Sequence, residues 1–339
     1  MITPQIVGID PAAQNSSANR AVFQDPDRAI SARPTHYFRR MRVFFREMLP
    51  LGRHALLAVV VYVAVAAFVI ATAGATVTLW NVSTLVGIVS VLSLFLMVRL
   101  MDEIKDVDID RRLFPHRPVP SGRVRLSDIR TTLGAVIALY LAVNLSLSAS
   151  LWSALAVLGY ALLMFRFFFV PHVIRRSLPL ALVTHNPIIP MMLVHCASVA
   201  AAGQGYTVAD LNWDLVAPFL LLTWAPLLAW ELSRKIRAPQ EETEYVTYSR
   251  VLGVPGAVAL TLLVQSMVMA VGVYLFARLG LDLIYIAILA AALSISVAVH
   301  LRLLIRPRLG SSTLRVSAEI FGVGVYAAQL YAFFSPGFA

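Results

Sequence analysis

The sequence is poor in charged residues. Only 14% of its 339 residues are Asp, Glu, Lys or Arg, whereas a typical soluble domain carries about 25%. Hydrophobic residues make up 59% of the chain. This balance argues against an ordinary soluble enzyme and predicts a membrane protein.

Cysteine is almost missing as well. The one cysteine, Cys196, lies inside an apolar run, so no disulfide can form within the chain. A buried structural role is favoured for Cys196 over that of a reactive thiol.

The charge that is present is mostly positive, with a net charge of +10. A surplus of Lys and Arg is also a feature of nucleic-acid-binding proteins. Here, however, the bases fall in short blocks between apolar runs, a pattern that membrane topology explains better. The expected partner of these charges is therefore the lipid bilayer and not nucleic acid.

Long apolar runs dominate the chain. Spanning a bilayer as a helix takes about 20 apolar residues. Stretches of that length occupy roughly 54–74, 82–101, 126–146, 149–169, 179–200, 214–233, 254–277, 282–301 and 315–335. The predicted fold is all-α, a polytopic membrane protein with nine transmembrane helices.

The segments between these runs alternate in charge. Nearly all Lys and Arg lie before Arg53 or in the loops 102–125, 166–178, 231–252 and 302–315. The positive-inside rule places these segments in the cytoplasm. An N-terminus in the cytoplasm and a C-terminus on the opposite side follow, and a bacterial cytoplasmic membrane is the expected location.

Three regions are expected along the chain. Residues 1–35 are polar and predict a disordered tail. Residues 36–53 contain YFRRMRVFFREMLP, a mixture of aromatics and arginines that is typical of an amphipathic helix on an anionic membrane face. Residues 54–339 form the transmembrane domain.

The densest patch of charge follows the second predicted span and reads RLMDEIKDVDIDRRLFPHRPVPSGRVR, from Arg99 to Arg125. Asp102, Asp106 and Asp110 are four residues apart, which places them along one face of a helix. A cation relieves the repulsion among three such charges. Mg²⁺ suits this position because it takes oxygen ligands and bridges carboxylates to phosphates.

The same acids have a simpler explanation as a solvated face paired with the neighbouring bases Lys105, Arg111 and Arg112. Asp108 is out of phase with the other three aspartates, so we expect it to pair with Arg111 or Arg112. We favour the metal and phosphate interpretation for the others because they end an apolar helix and precede a segment rich in Pro and Arg.

Two arginines in this segment, Arg117 and Arg123, bracket the run PVPSG. Prolines and glycine fix the path of a loop, and arginine offers a planar fork of donors for phosphate oxygens. The alternative is that either arginine only anchors the loop on the cytoplasmic side.

DEIKDVDID followed by HRPVPSGRV resembles the first signature of the UbiA superfamily of intramembrane prenyltransferases, NDxxDxxxD followed by RPxxSG. Asp102 stands in the Asn position and Glu103 in the first Asp position, while Asp106 and Asp110 take the other two. The resemblance implies a helical bundle around a central cavity. It also implies that Mg²⁺ and a prenyl diphosphate bind under a cytoplasmic cap.

The family's second signature is aspartate-rich and follows the sixth helix, where this chain reads WELSRKIRAPQEETEYVTYSRVLG. The resemblance puts Glu231 at the first acid and Glu242 at the last, but Ala238 at the middle one. Lys235 and Arg237 add positive charge where the family carries a metal ligand. The alternative to a full second metal site is that Lys235 and Arg234 contact the diphosphate directly.

The resemblance therefore implies three sets of site residues. The metal set is Asp102, Glu103, Asp106, Asp110, Glu231 and Glu242. The catalytic set is Asp102, Asp106, Asp110 and Glu231. The diphosphate set is Arg117, Arg123 and Lys235.

Polar groups inside the apolar runs are further candidates. His185 and Asn186 lie early in the fifth span. They are candidates for lining the cavity, and a helix–helix hydrogen bond is the alternative. For Glu319 in the ninth span, an ion pair with Arg315 four residues earlier is favoured.

Together these features predict an enzyme that transfers a prenyl group from a prenyl diphosphate to an aromatic, quinone-precursor or lipid acceptor, with Mg²⁺ as cofactor. One alternative is a terpene cyclase of the same superfamily, which needs no acceptor. The second alternative is a transporter or lipid-binding membrane protein. Transporters, however, bind their substrates near the bilayer midplane, whereas the acids here lie at one face.

Overall fold

The computed structural model describes residues 36–75, 81–174, 176–243 and 246–333. The predicted disordered tail, residues 1–35, lies outside the described residues. Within them the chain is helical and contains no strand. In order, the α-helices are α1 Tyr37–Met48, α2 Leu51–Thr72, α3 Val82–Lys105, α4 Val107–Leu113, α5 Leu126–Asn144, α6 Leu151–Phe165, α7 Pro171–Ile174, α8 Leu178–His185, α9 Ile188–Gly203, α10 Trp213–Ser233, α11 Tyr248–Leu279, α12 Leu283–Ile305 and α13 Ser312–Ala332.

Eight segments of the described chain are long and apolar enough to cross a membrane. Six are the single helices α2, α3, α5, α10, α11 and α12, and the others are Ser148–Phe165, which contains α6, and Leu178–Gly203, which contains α8 and α9. The ninth predicted span corresponds to α13, which has 21 residues but is more polar. The prediction of an all-α polytopic protein is confirmed, and its count of nine spans is approximate.

Capping residues explain several helix ends. The side chain of Asn81 accepts a hydrogen bond from the Thr84 N–H, 2.9 Å away, at the start of α3. Asp282 does the same for the Ile284 N–H at the start of α12, at 3.0 Å. Gly280 ends α11 with φ 62°, a left-handed conformation that glycine adopts at little cost. These local signals fix where the long apolar helices begin and end.

The helices pack as two groups. Helices α2, α3, α5, α6 and α9 contact one another in the first group, and α10 to α13 form the second. The groups meet where α10 packs against α2 and α9. At the contact with α2, the rings of Phe68 and Phe219 stack with their centroids 3.9 Å apart. One apolar core therefore runs through both groups.

Large apolar side chains also cover the outside of the bundle. Leu139 on α5, Leu263 on α11 and Val323 on α13 are about half exposed or more. A soluble surface rarely carries so many exposed apolar groups on contiguous helices. With the eight apolar spans, these outer faces identify an integral membrane protein.

The amphipathic segment forms helix α1, which packs against α5. Arg40 donates to both carboxylate oxygens of Asp128, at 2.6 and 2.8 Å, and these two residues are only 6% and 5% exposed. Nearby, the Tyr37 hydroxyl lies 2.7 Å from that of Thr132. The opposite face exposes Phe38 and several arginines. The placement of this face on a membrane surface stays a prediction.

Candidate active site

A cavity of about 710 Å³ opens between the segment that follows α3 and the segment that follows α10. Its charged lining consists of three aspartates and five bases, Asp102, Asp106, Asp110, Arg99, Arg117, Arg234, Lys235 and Arg237. Because bases outnumber acids, this lining suits an anionic ligand. Asp102, Asp106 and Asp110 form one wall, called here the acidic wall. Arg234, Lys235 and Arg237, which follow α10, form the other, called here the basic wall.

The acidic wall is built where α3 ends and the short helix α4 begins. Helix α3 ends at Lys105, and α4 begins two residues later. Across this junction, Asp106 N–H donates to the Asp102 carbonyl at 2.9 Å, and Asp110 N–H donates to the Asp106 carbonyl at 2.9 Å. The four-residue spacing therefore keeps all three aspartates on one face, as the sequence predicts.

Each end of the acidic wall is paired with a base. The Lys105 ammonium lies 3.1 Å from a carboxylate oxygen of Asp102. At the other end, Arg117 Nη1 donates to both oxygens of Asp110, at 2.8 and 2.9 Å. The Arg117 guanidinium also lies over the Phe114 ring, 3.8 Å from its centroid. These contacts hold Asp110 and Arg117 at the cavity mouth as one unit.

Two other acids of the first segment do not line the cavity. The Asp108 side chain is 90% exposed and pairs with Arg111 at 3.5 Å, which is the pairing that its phase predicts. Glu103 is only 2% exposed and forms an ion pair with Arg99. The assignment of Glu103 as a metal ligand stays a prediction.

The basic wall is held by Glu231 at the end of α10. Its carboxylate oxygens lie 2.6 Å from Arg234 Nε and 2.9 Å from Lys235 Nζ. Arg237 is held by its own backbone N–H, which donates to the Ser249 hydroxyl at 2.8 Å. Glu231 itself is not part of the cavity lining, so it supports bases that are.

The remaining described acids of the second segment point to other partners. Glu242 accepts hydrogen bonds from the hydroxyls of Thr247 at 2.7 Å and Ser249 at 2.6 Å. Glu241 accepts from the Ser311 hydroxyl at 2.5 Å and from its N–H at 3.0 Å. The Ser311 hydroxyl bond is the main reason that the pKa of Glu241 is lowered. Neither glutamate lines the cavity.

Arg123 is engaged outside the cavity. Its guanidinium donates to both carboxylate oxygens of Glu47 in α1, at 2.6 and 2.8 Å, and to the His116 carbonyl at 2.8 Å. These bonds lower the pKa of the Glu47 carboxyl. Arg123 therefore ties helix α1 to the loop that carries Arg117, and its assignment to diphosphate stays a prediction.

His185 and Asn186 also lie away from the cavity lining. Asn186 Oδ1 accepts a hydrogen bond of 2.7 Å from the Trp224 indole of α10, which is the helix–helix alternative. The His185 ring lies 6.0 Å from that of Phe167 and 6.3 Å from that of Phe168, between centroids. Two aromatic rings thus lie beside the histidine, and its Nδ1 lies 3.1 Å from the Thr184 hydroxyl.

Two solved structures share this architecture. One is of digeranylgeranylglyceryl phosphate synthase, with a TM-score of 0.58 and 13% identity over 86% of this chain and 99% of the other. The second is of a UbiA homologue from Aeropyrum pernix K1, with a TM-score of 0.57 and 19% identity over 81% of this chain and 96% of the other. The chain has the UbiA fold. No protein-family model and no curated protein sequence matches it.

The UbiA fold confirms the resemblance found in the first charged segment at the level of architecture. It also explains why two segments far apart in sequence face one cavity. The second span ends in the acidic wall and the sixth ends in the basic wall. The TM-scores and the coverage support the fold alone, so the chemistry must be argued from the side chains.

The carboxylates of the UbiA-type cavity fit Mg²⁺ only in part. Among the described residues, no three His, Cys, Asp or Glu side chains lie close enough together to hold a metal ion. Mg²⁺, however, commonly uses one or two carboxylates and takes its other ligands from phosphates and water. The acidic wall supplies such carboxylates, so it suits an ion that arrives with a phosphate ligand.

Sequence reasoning assigned no substrate contact to two lining bases, Arg99 and Arg237. Arg99 lies three residues before Asp102, so it was recognisable as a neighbour on the same helix face. Arg237 follows the end of α10 and carried no such periodic signal, because its position depends on the bond to Ser249 of α11.

Proposed function

We propose that this protein is an intramembrane, Mg²⁺-dependent prenyltransferase. It transfers a prenyl group from a prenyl diphosphate to an aromatic, quinone-precursor or lipid acceptor. The observation that supports this function is the pairing of an acidic and a basic wall in one cavity at the end of apolar helices. A diphosphate is the ligand class that uses both walls at once.

In this proposal the diphosphate lies between the walls. Arg117, Arg234 and Lys235 donate hydrogen bonds to its oxygens, and guanidinium forks match phosphate geometry. One or two carboxylates from the set Asp102, Asp106 and Asp110 would hold Mg²⁺ together with phosphate and water ligands. The ion would supply positive charge next to the leaving group. Glu231 keeps Arg234 and Lys235 extended toward the cavity through its two ion pairs.

Prenyl transfer breaks the bond between the first prenyl carbon and the bridging diphosphate oxygen. Both bonding electrons go to that oxygen, and fixed cations stabilise the charge that develops there. The allylic cation left behind is captured by the acceptor, which loses a proton. Diphosphate leaves with the electrons, so the charges balance.

The acidic wall also has an apolar side. Ile109, Leu113 and Phe114 line the same cavity as the aspartates. In the proposed complex these side chains contact the first isoprene unit and keep water from the cation, which would otherwise be hydrolysed. The acceptor approaches from the apolar side of the bundle.

We also propose that the cavity opens to the cytoplasm, because most described loop bases lie on its side of the bundle. The single native cysteine is 0% exposed, so an engineered thiol can be labelled without background. Asp108→Cys is expected to react with a membrane-impermeant maleimide in inside-out vesicles only. Labelling in right-side-out vesicles alone would reverse the proposed orientation.

The function is tested with purified protein in lipid nanodiscs, Mg²⁺ and radiolabelled prenyl diphosphates of several lengths, with and without acceptors. Diphosphate release that requires an acceptor, together with a prenylated product, is expected. Release of a terpene hydrocarbon or alcohol without acceptor would favour the cyclase alternative. Failure of every prenyl diphosphate to react would contradict an enzyme and leave a transporter or lipid-binding protein.

A further inference from the structure

The two walls of the cavity offer a diphosphate different chemistry. We infer that the basic wall binds one phosphate group of the diphosphate directly, without a metal. The protein then uses one divalent ion per diphosphate. This inference rests on the proposed function and adds to it the division of labour between the walls. The divalent ion belongs to the acidic wall.

The first reason is that the acids after α10 are already engaged. Among the described residues of that segment, Glu231 bonds to two bases, and Glu242 bonds to two hydroxyls. Glu241 is held by Ser311. None of these carboxylates lines the cavity, so none presents free oxygens to a metal there.

The second reason is the charge of the wall itself. Arg234, Lys235 and Arg237 line the cavity. In the described part of the chain, Glu231 is the carboxylate that pairs with two of them. The wall therefore keeps a surplus of positive charge. A second divalent cation placed beside it would be repelled, whereas phosphate oxygens accept its N–H groups directly.

The third reason is that these bases are held in place before any ligand arrives. Arg237 Nη1 donates to the Glu241 carbonyl at 3.2 Å, and the Lys235 carbonyl accepts the Tyr248 N–H at 2.9 Å. The Arg234 guanidinium lies over the Trp230 ring, 5.2 Å from its centroid. A fixed set of cations needs little reorganisation to receive an anion.

The acidic wall has the opposite requirement. Its three carboxylates repel phosphate oxygens unless a cation lies between them. Lys105 and Arg117 pair with the two ends of the wall, and a divalent ion that bridges carboxylate and phosphate oxygens would supply the cation between them. The walls thus predict one metal-dependent and one metal-independent phosphate contact.

The decisive measurement is the number of divalent ions bound per chain. Purified protein in nanodiscs is dialysed against Mn²⁺ as a stand-in for Mg²⁺, with saturating inorganic pyrophosphate, and bound Mn²⁺ is counted. One ion per chain is expected. Two ions per chain would overturn the inference, whatever the activity of the enzyme.

Calorimetry with inorganic pyrophosphate in EDTA tests the basic wall separately. Measurable binding without divalent ions is expected, and it should weaken with added salt. Lys235→Gln together with Arg237→Gln is expected to weaken this binding at least about tenfold while one Mn²⁺ still binds with pyrophosphate at saturation. Arg112→Gln, an exposed base outside the cavity lining, is the matched control and should change nothing.

Asp106→Asn gives the complementary result. It should remove Mn²⁺ binding but leave the metal-free binding of pyrophosphate intact. Loss of both in a variant that still elutes as a folded species would contradict the division between the walls. If wild-type protein binds neither ion nor pyrophosphate, the cavity is not a diphosphate site and the proposed function fails too. Two Mn²⁺ ions with intact prenyl transfer would overturn only the present inference.

Discussion

The segments after α3 and after α10 use the same residue types in opposite ways. After α3, three aspartates face the cavity, and bases hold the two ends of their row. After α10, the bases face the cavity, and Glu231 holds two of them from behind. The comparison teaches that the position of a carboxylate relative to the cavity separates the two segments, since carboxylates on both sides are paired with bases.

The largest effect is expected from a substitution in the acidic wall. Asp106→Ala should lower kcat at least about 100-fold, because removal of one fixed group that stabilises transition-state charge lowers kcat by about that factor. Prenyl transfer in nanodiscs measures it, with size-exclusion chromatography to verify folding. Asp108→Ala changes a matched aspartate two residues away that is 90% exposed, and it should keep nearly full activity. Equal activity of the two variants would remove Asp106 from the site.

A smaller effect is expected where the acidic wall meets its arginine. Arg117→Lys keeps the charge but loses the planar contact with Phe114 and the extra donors. We expect KM for the prenyl diphosphate to rise about tenfold, which corresponds to about 1.4 kcal/mol. Arg111→Lys, on an exposed arginine of the same segment, is the control. An unchanged KM in the first variant would show that Arg117 only anchors the loop.

The next prediction concerns the stability of the second segment. Glu242→Ala removes the acceptor that the Thr247 and Ser249 hydroxyls share. Because these hydroxyls lie 3.1 Å apart, one can then donate to the other, and the buried donor that is left costs about 1–3 kcal/mol when unsatisfied. A lower midpoint of thermal unfolding in detergent is expected, with Mn²⁺ still bound. Glu319→Ala breaks an exposed i,i+4 pair with Arg315 that is worth only about 0.3–0.5 kcal/mol. Loss of Mn²⁺ in the Glu242 variant would instead make Glu242 a ligand, as the family pattern implies.

The smallest effect is a pH dependence at Glu241. Its folded pKa lies below the ordinary value of 4.5, chiefly because the Ser311 hydroxyl donates to the carboxylate. The ionised group therefore stabilises the contact with the start of α13 above that ordinary value, and this stability is lost as pH falls through the lowered pKa. Thermal unfolding at about pH 6 and about pH 4 should show a smaller decrease for Glu241→Gln than for wild type. Identical decreases would rule out this contribution.

The sequence predicted what local periodicity controls. The apolar spans followed from their length, and the shared face of Asp102, Asp106 and Asp110 followed from the four-residue spacing. The pairing of Asp108 with Arg111 followed from its phase. These features hold because a helix fixes neighbours three and four residues away, whatever the rest of the fold does.

The sequence did not predict pairings made through tertiary structure. Arg123 looked like a phosphate ligand, yet its partner Glu47 lies 76 residues away in α1. The bond between Asn186 and Trp224 likewise joins two different helices. In both cases the residue type was informative, but the element packed against it decided its contacts.

The buried pair between Arg40 and Asp128 has a consequence for biogenesis. Asp128 follows Arg40 by 88 residues, and ribosomes add about 5–20 residues per second. Arg40 is therefore synthesised about 4 to 18 s before Asp128. The apolar spans α2 and α3 are synthesised during that interval, and Arg40 cannot yet bind Asp128. Docking of α1 is thus a late assembly step for the first helix synthesised among those described, and it reports that α5 has reached its place.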